Sequence, residues 1–121
     1  MQNIIVAKFG GSSLSDSKQF AKVKNIIELD SRRRYIIPSA PGRRYNKDHK
    51  ITDLLYMCYQ LASHNLNFDE VYEIVERRFE DICIELSLDI DIAKELKNIK
   101  KQIQSGASKD YVASRGEYLN A

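Results

Sequence analysis

Apolar residues lead the chain. A run over Asn3-Ile4-Ile5-Val6-Ala7 ends in the polar turn Lys8-Phe9-Gly10-Gly11-Ser12-Ser13, and this pattern predicts a buried strand over about residues 3–9. Phe20, Val23, Ile26, Ile27 and Leu29 then recur at helical spacing, with Ser15 or Asp16 placed to cap the helix. Tyr35-Ile36-Ile37 predicts a second short strand, ended by Pro38. No period is visible from Ser39 to about Lys50, where Pro41 and Gly42 mark a polar loop. Three helical stripes follow. Ile51, Leu54, Leu55, Cys58, Leu61 and Ala62 mark the first; Phe68, Val71, Tyr72, Val75, Phe79, Ile82 and Leu86 the second, with Asn67 as its cap. Ile92, Leu96, Ile99 and Ile103 mark the third, closed by the stop signal Ser105-Gly106. A last helix starts near Ser108 and carries Tyr111, Val112, Tyr118 and Leu119.

Two strands flanking a helix are the opening of an α/β layer. A two-stranded parallel sheet is a poor end point, because parallel sheets need more strands and cover on both faces. The helical pattern also runs into Asn120-Ala121 without a stop signal. The expectation is therefore the N-terminal part of something larger, and the alternative a complete small helical domain with a strand hairpin.

Composition narrows the class. At 121 residues, 43% hydrophobic and 30% charged, the chain is globular and one domain's worth at most. A net charge of +2 is too small to argue for nucleic acid or a membrane surface, and Arg32-Arg33-Arg34 reads as a solvated turn. Cys58 and Cys83 lie on apolar helix faces without CxxC spacing, which suits a reduced, cytosolic chain. The opening apolar run is too short for a signal peptide or a membrane span. His49 and His64 have no partner at metal-ligand spacing, so no metal ligands are assigned.

Candidate chemistry gathers at three element ends. The turn from Lys8 to Ser13 combines a compact cation, a glycine pair and the unpaired N–H groups that open a helix, a combination suited to phosphate. It is neither GxxxxGK[ST] nor GxGxxG, and a tight turn without a ligand explains it too. Ser39-Ala40-Pro41-Gly42 leaves the second strand at its carboxyl end, so both turns would open on the sheet edge where ligands bind. Arg43, Arg44, Lys47 and Lys50 could help hold a polyanion there, or form a solvated basic loop. Within Lys50-Ile51-Thr52-Asp53-Leu54-Leu55, Thr52 and Asp53 fall in a first helical turn, where capping accounts for them as well as ligand binding does. In Ser114-Arg115-Gly116-Glu117, a helical glycine costs about 1 kcal/mol relative to alanine and is best tolerated where a ligand or another backbone comes close. Glu117 beside it is either the partner of a substrate ammonium or an ordinary surface carboxylate.

Taken in order, Val6-Ala7-Lys8-Phe9-Gly10-Gly11-Ser12-Ser13, Ser39-Ala40-Pro41-Gly42, Lys50-Ile51-Thr52-Asp53-Leu54-Leu55 and Ser114-Arg115-Gly116-Glu117 resemble the aspartate kinases of the amino acid kinase family. They span about the first third of a typical member. The resemblance implies an α/β fold, the family's three-layer sandwich, present here as its helix-rich N-terminal part of two parallel strands and about five helices. The whole chain, 1–121, would be a fragment of the catalytic domain with no ACT regulatory domain. It implies ATP-dependent phosphorylation of the β-carboxylate of L-aspartate to 4-phospho-L-aspartate, the first step towards lysine, threonine and methionine. Lys8 would act catalytically on the transferring phosphates, with Gly10, Gly11 and Ser12 lining their turn. Ser39 would face the same pocket, and Thr52 and Glu117 would hold aspartate. ATP with Mg2+ would be the co-substrate, the full-length enzyme a cytoplasmic homo-oligomer, and nucleic acid and membrane no partners. The fragment alone would be inactive, because the segments that supply the aspartate-binding arginine, the organising aspartate and the adenine pocket have no match in it. The competing functions are another amino acid kinase, acting on glutamate, acetylglutamate, carbamate or a nucleotide, and a non-catalytic phosphate-binding module.

Overall fold

The computed structural model describes residues 3–121. Strand β1 (Ile5–Phe9) pairs in parallel with β2 (Arg33–Pro38), in a register that runs from Val6 opposite Tyr35 to Phe9 opposite Pro38. The connection between them is a crossover through helix α1 (Ser17–Leu29) and not a hairpin. Alternation along the strands gives the sheet two faces. Phe9, Ile36 and Pro38 share a cavity of about 340 Å³ with Phe20, Val23 and Ile27 of α1. Val6, Tyr35 and Ile37 stand exposed on the opposite face, alongside Lys8.

The main core lies among the helices. Helices α2 (Ile51–Ser63), α3 (Asp69–Glu85) and α4 (Ile92–Gln104) pack their apolar stripes together. Ile51, Leu55 and Cys58 meet Tyr72 and Val75, with Leu96, Ile99 and Ile103 closing the third side. The stripes therefore did their expected work, since a helix with one apolar face is stable when that face is covered. Tyr72 is fully buried, and its hydroxyl donates to the Leu96 carbonyl at 2.5 Å, tying α3 to α4. Gly106 ends α4 in the left-handed region at φ +88°, as the stop signal predicts.

Local departures from the sequence expectation have local causes. The expected last helix is divided at Ser114 into α5 (Lys109–Ala113) and α6 (Arg115–Asn120), so the about five helices expected are six α-helices among the described residues. Gly116 accounts for the new direction: a Cβ there would lie 2.5 Å from Ala40 Cβ, so the glycine lets α6 lean on the loop after β2. Arg115 steadies the corner, its guanidinium carbon 4.3 Å and 4.6 Å from the ring centroids of Tyr111 and Tyr118. Arg33 and Arg34 belong to β2, so the solvated turn foreseen for the arginine triplet reduces to Arg32, which pairs with Asp30. Phe68, not Asn67, is the N-cap residue of α3; the Asn67 side chain accepts instead from the Asp69 N–H at 2.8 Å. Among the described residues no helix is long and apolar enough to cross a membrane.

Candidate phosphate and substrate site

Because β1 and β2 are parallel, the segments that leave their carboxyl ends emerge side by side. After β1 comes a 3-10 turn, Gly11–Leu14, and only then α1, whose first N–H groups are served by Asp16: its carboxylate accepts from the Gln19 N–H at 3.0 Å. The helix opening directly onto the Gly10-Gly11 turn is thus the 3-10 turn, for which Gly10 is an N-cap without a capping side chain. After β2, the Ser39 N–H donates to the Phe9 carbonyl at 3.0 Å, and the chain then folds across the first turn.

The crossing is unusually close. The Gly42 N–H donates to the Gly11 carbonyl at 2.8 Å. A Cβ on Gly42 would sit 2.6 Å from the Gly11 carbonyl carbon and 2.8 Å from the Ser12 nitrogen, so no larger residue fits. A Cβ on Gly11 would meet the Ala40 carbonyl oxygen at 3.1 Å. Gly10 differs from both: open space surrounds its missing Cβ. The second glycine of the pair is required by another backbone, and the first leaves room in front of the turn.

A cavity of about 460 Å³ opens at this crossing. Gly11 and Ser12 form one wall, and Ser39 to Arg43 the next. Lys50 and Thr52, at the start of α2, and Glu117, in the first turn of α6, complete the lining. Five of the seven residues singled out from sequence therefore share one cavity: Gly11, Ser12, Ser39, Thr52 and Glu117. Lys8 and Gly10 are not among its lining residues. Lys8 is exposed on the open face of the sheet, and Gly10 is exposed at the lip of the turn. Arg43 and Lys50, from the basic loop, bring cationic side chains to the wall, whereas Arg44 is turned away into an ion pair with Asp48 at 2.7 Å. Cations and a carboxylate on one lining suit ligands that carry phosphate and ammonium groups. Among the described residues no group of three or more His, Cys, Asp or Glu side chains could hold a metal ion.

The loop that supplies part of this lining is pinned from beneath. Asp48 is buried and accepts from the Arg44 N–H at 3.0 Å, from Arg44 Nε at 2.7 Å and from Arg78 Nη2 at 2.9 Å. Its carboxyl is held well below the usual carboxylate range, foremost by the Arg44 side chain, then by the backbone N–H groups of Arg44 and His49 and by the Arg78 charge, against the opposing effect of burial. Burial lowers Arg78 from the ordinary guanidinium value, and Arg44 adds repulsion. Periodicity does not reveal this pair, although the sequence holds one signal of it: Arg78 falls three residues after Val75 and beside Phe79, on the apolar stripe of its helix.

No family model matches the chain. Aspartokinase 3 of Bacillus subtilis (strain 168) is 38% identical over 93 residues, which are 77% of this chain and 20% of that protein. The crystal structure of Clostridium acetobutylicum aspartate kinase superposes with a TM-score of 0.96 at 57% identity, over 98% of this chain and 28% of that one. E. coli aspartokinase III, in complex with aspartate and ADP, superposes with a TM-score of 0.75 over 97% of this chain and 27% of that one; at 24% identity this is a likeness of fold. The chain spans between a fifth and little more than a quarter of these relatives. In sequence and in fold, then, this α/β chain resembles aspartate kinases along a portion of their length.

Proposed function

We propose that the chain is the N-terminal part of an aspartate kinase catalytic domain, and that its cavity receives the phosphate tail of ATP and the side of L-aspartate that accepts phosphate. One observation carries the reading: three sequence segments far apart in the chain converge on one cavity with cations, a glycine turn, a hydroxyl and a carboxylate on its walls. In this reading the Gly10-Gly11-Ser12 turn meets the phosphates, Lys8 reaches over its lip to the transferring group, and Ser39 faces the same space. Thr52 holds an aspartate carboxylate, and Glu117 pairs with its ammonium. The β-carboxylate is ionised at neutral pH, so attack on the γ-phosphorus needs no general base. The carboxylate oxygen forms the new P–O bond as the bond to the β-phosphate oxygen breaks, leaving ADP. Catalysis then consists of aligning two anions and neutralising the charge that develops, work for lysine and backbone N–H groups. Mg2+ would arrive with the nucleotide phosphates and add to that neutralisation. The protein would be cytoplasmic, and the full-length enzyme a homo-oligomer.

A segment exchange tests the reading. The stretch of the Clostridium acetobutylicum enzyme that matches this chain is replaced by residues 3–121, and acyl phosphate is trapped with hydroxylamine. Turnover with L-aspartate, and none with glutamate or acetylglutamate, is expected. An exchanged enzyme that is folded and inactive, or that prefers another acceptor, would overturn the reading.

A further inference from the structure

Arg78 lines no part of the cavity, yet it bonds one wall residue, Gly42, and three others in the segments that carry the walls. It projects from α3 and is 3% exposed. Nη1 donates to the Gly42 carbonyl at 2.7 Å and, more weakly, to the Ser15 carbonyl at 3.4 Å. Nη2 donates to Asp48 Oδ2 at 2.9 Å and to the His49 carbonyl at 3.0 Å. One planar fork thus holds the end of the turn after β1, the start of the loop after β2, and the end of that loop where α2 begins. Nε is buried with no partner, so the group is not placed for maximal hydrogen bonding. A buried ion pair is weak grounds for stability, since apolar residues of like size often serve the fold as well. The partners make more sense as a set: all four lie in the two segments that cross at Gly11 and Gly42, and none lies in the apolar core.

We propose that Arg78 is a positioning residue for the phosphate side of the site, an inference that rests on the kinase reading above. By holding the Gly42 carbonyl, it keeps the Gly42 N–H on the Gly11 carbonyl and fixes the gap between the glycine turn and the Ser39-to-Gly42 wall. By holding Asp48 and His49, it fixes where α2 starts and so where Thr52 stands. A lysine at this position keeps the charge, but from a single nitrogen it cannot span both ends of the loop.

Arg78→Lys separates positioning from mere support. In the 121-residue chain, hydrogen exchange at the Gly42 amide is expected to quicken about tenfold, with the core amides of Val75 and Leu96 unchanged. In the exchanged kinase, KM for ATP is expected to rise about tenfold, with a smaller change in KM for aspartate and the same melting temperature. Asp48→Asn, which keeps the side-chain shape, is expected to give an intermediate effect on both readouts. Unchanged Gly42 exchange, or exchange that quickens equally at Gly42 and Leu96, would overturn the inference. So would an unchanged KM for ATP, or failure of both variants to fold. An exchanged enzyme that is inactive with Arg78 intact rejects the kinase reading by itself, and Gly42 exchange in the chain then decides the role of Arg78.

Discussion

Gly10, Gly11 and Gly42, in the turn and the loop that crosses it, do different work, and substitution distinguishes them. Gly10→Ala adds a methyl into open space and is expected to leave the melting temperature unchanged while weakening phosphate binding. Gly42→Ala drives a methyl into the backbone of Gly11 and Ser12 and is expected to cost roughly 1–3 kcal/mol in urea denaturation. The sequence showed the glycine pair and its likeness to a phosphate turn, but not that Gly11 is required by Ala40 and Gly42, thirty residues away in the loop. Contacts of that kind leave no periodic trace. Glu117 is exposed in the first turn of α6, and Glu117→Gln in the exchanged enzyme is expected to raise KM for aspartate about tenfold, with KM for ATP unmoved. Away from the site, burial pushes the Cys58 thiol up to about 12, so it should resist thiol reagents until the chain unfolds.

At the scale of elements, periodicity announced α2, α3 and α4, because each buries a single stripe and nothing competes with that pattern. It missed the division at Ser114, where the deciding contact is Gly116 against Ala40, and it missed the order of the aperiodic loop. That loop is ordered by charge. The Asp48 carboxyl has a lower pKa in the folded chain than in the unfolded one, where it is about 4. Its contribution is therefore complete above pH 4 and is lost as pH falls through the folded value. Acid unfolding followed by circular dichroism should show this loss below pH 4, and Asp48→Asn should flatten that part of the curve. A mutant with the parent's full acid dependence would remove Asp48 from the explanation. The α3–α4 contact is simpler: Tyr72→Phe removes the donor to the Leu96 carbonyl and is expected to cost about 1 kcal/mol.

For the molecule as a whole, the two-stranded sheet turns one face to α1 across a cavity and leaves Val6, Tyr35 and Ile37 exposed on the other. The cavity is open, and its walls come from segments that match little more than a quarter of the Clostridium enzyme. The 121 residues by themselves are accordingly expected to form no acyl phosphate in a coupled assay with ATP and aspartate. Turnover near that of a full-length kinase would contradict this. What the chain should retain is the site itself. The most direct test is amide shift mapping of the isotope-labelled chain, titrated first with tripolyphosphate and then with L-aspartate. Tripolyphosphate should move Gly10, Gly11, Ser12 and Gly42, aspartate should move Thr52 and Glu117, and both should saturate at roughly millimolar concentrations. Shifts that gather instead at Arg32 to Arg34 or Lys109, or that are absent with both ligands, would contradict the placement of phosphate and aspartate in one cavity.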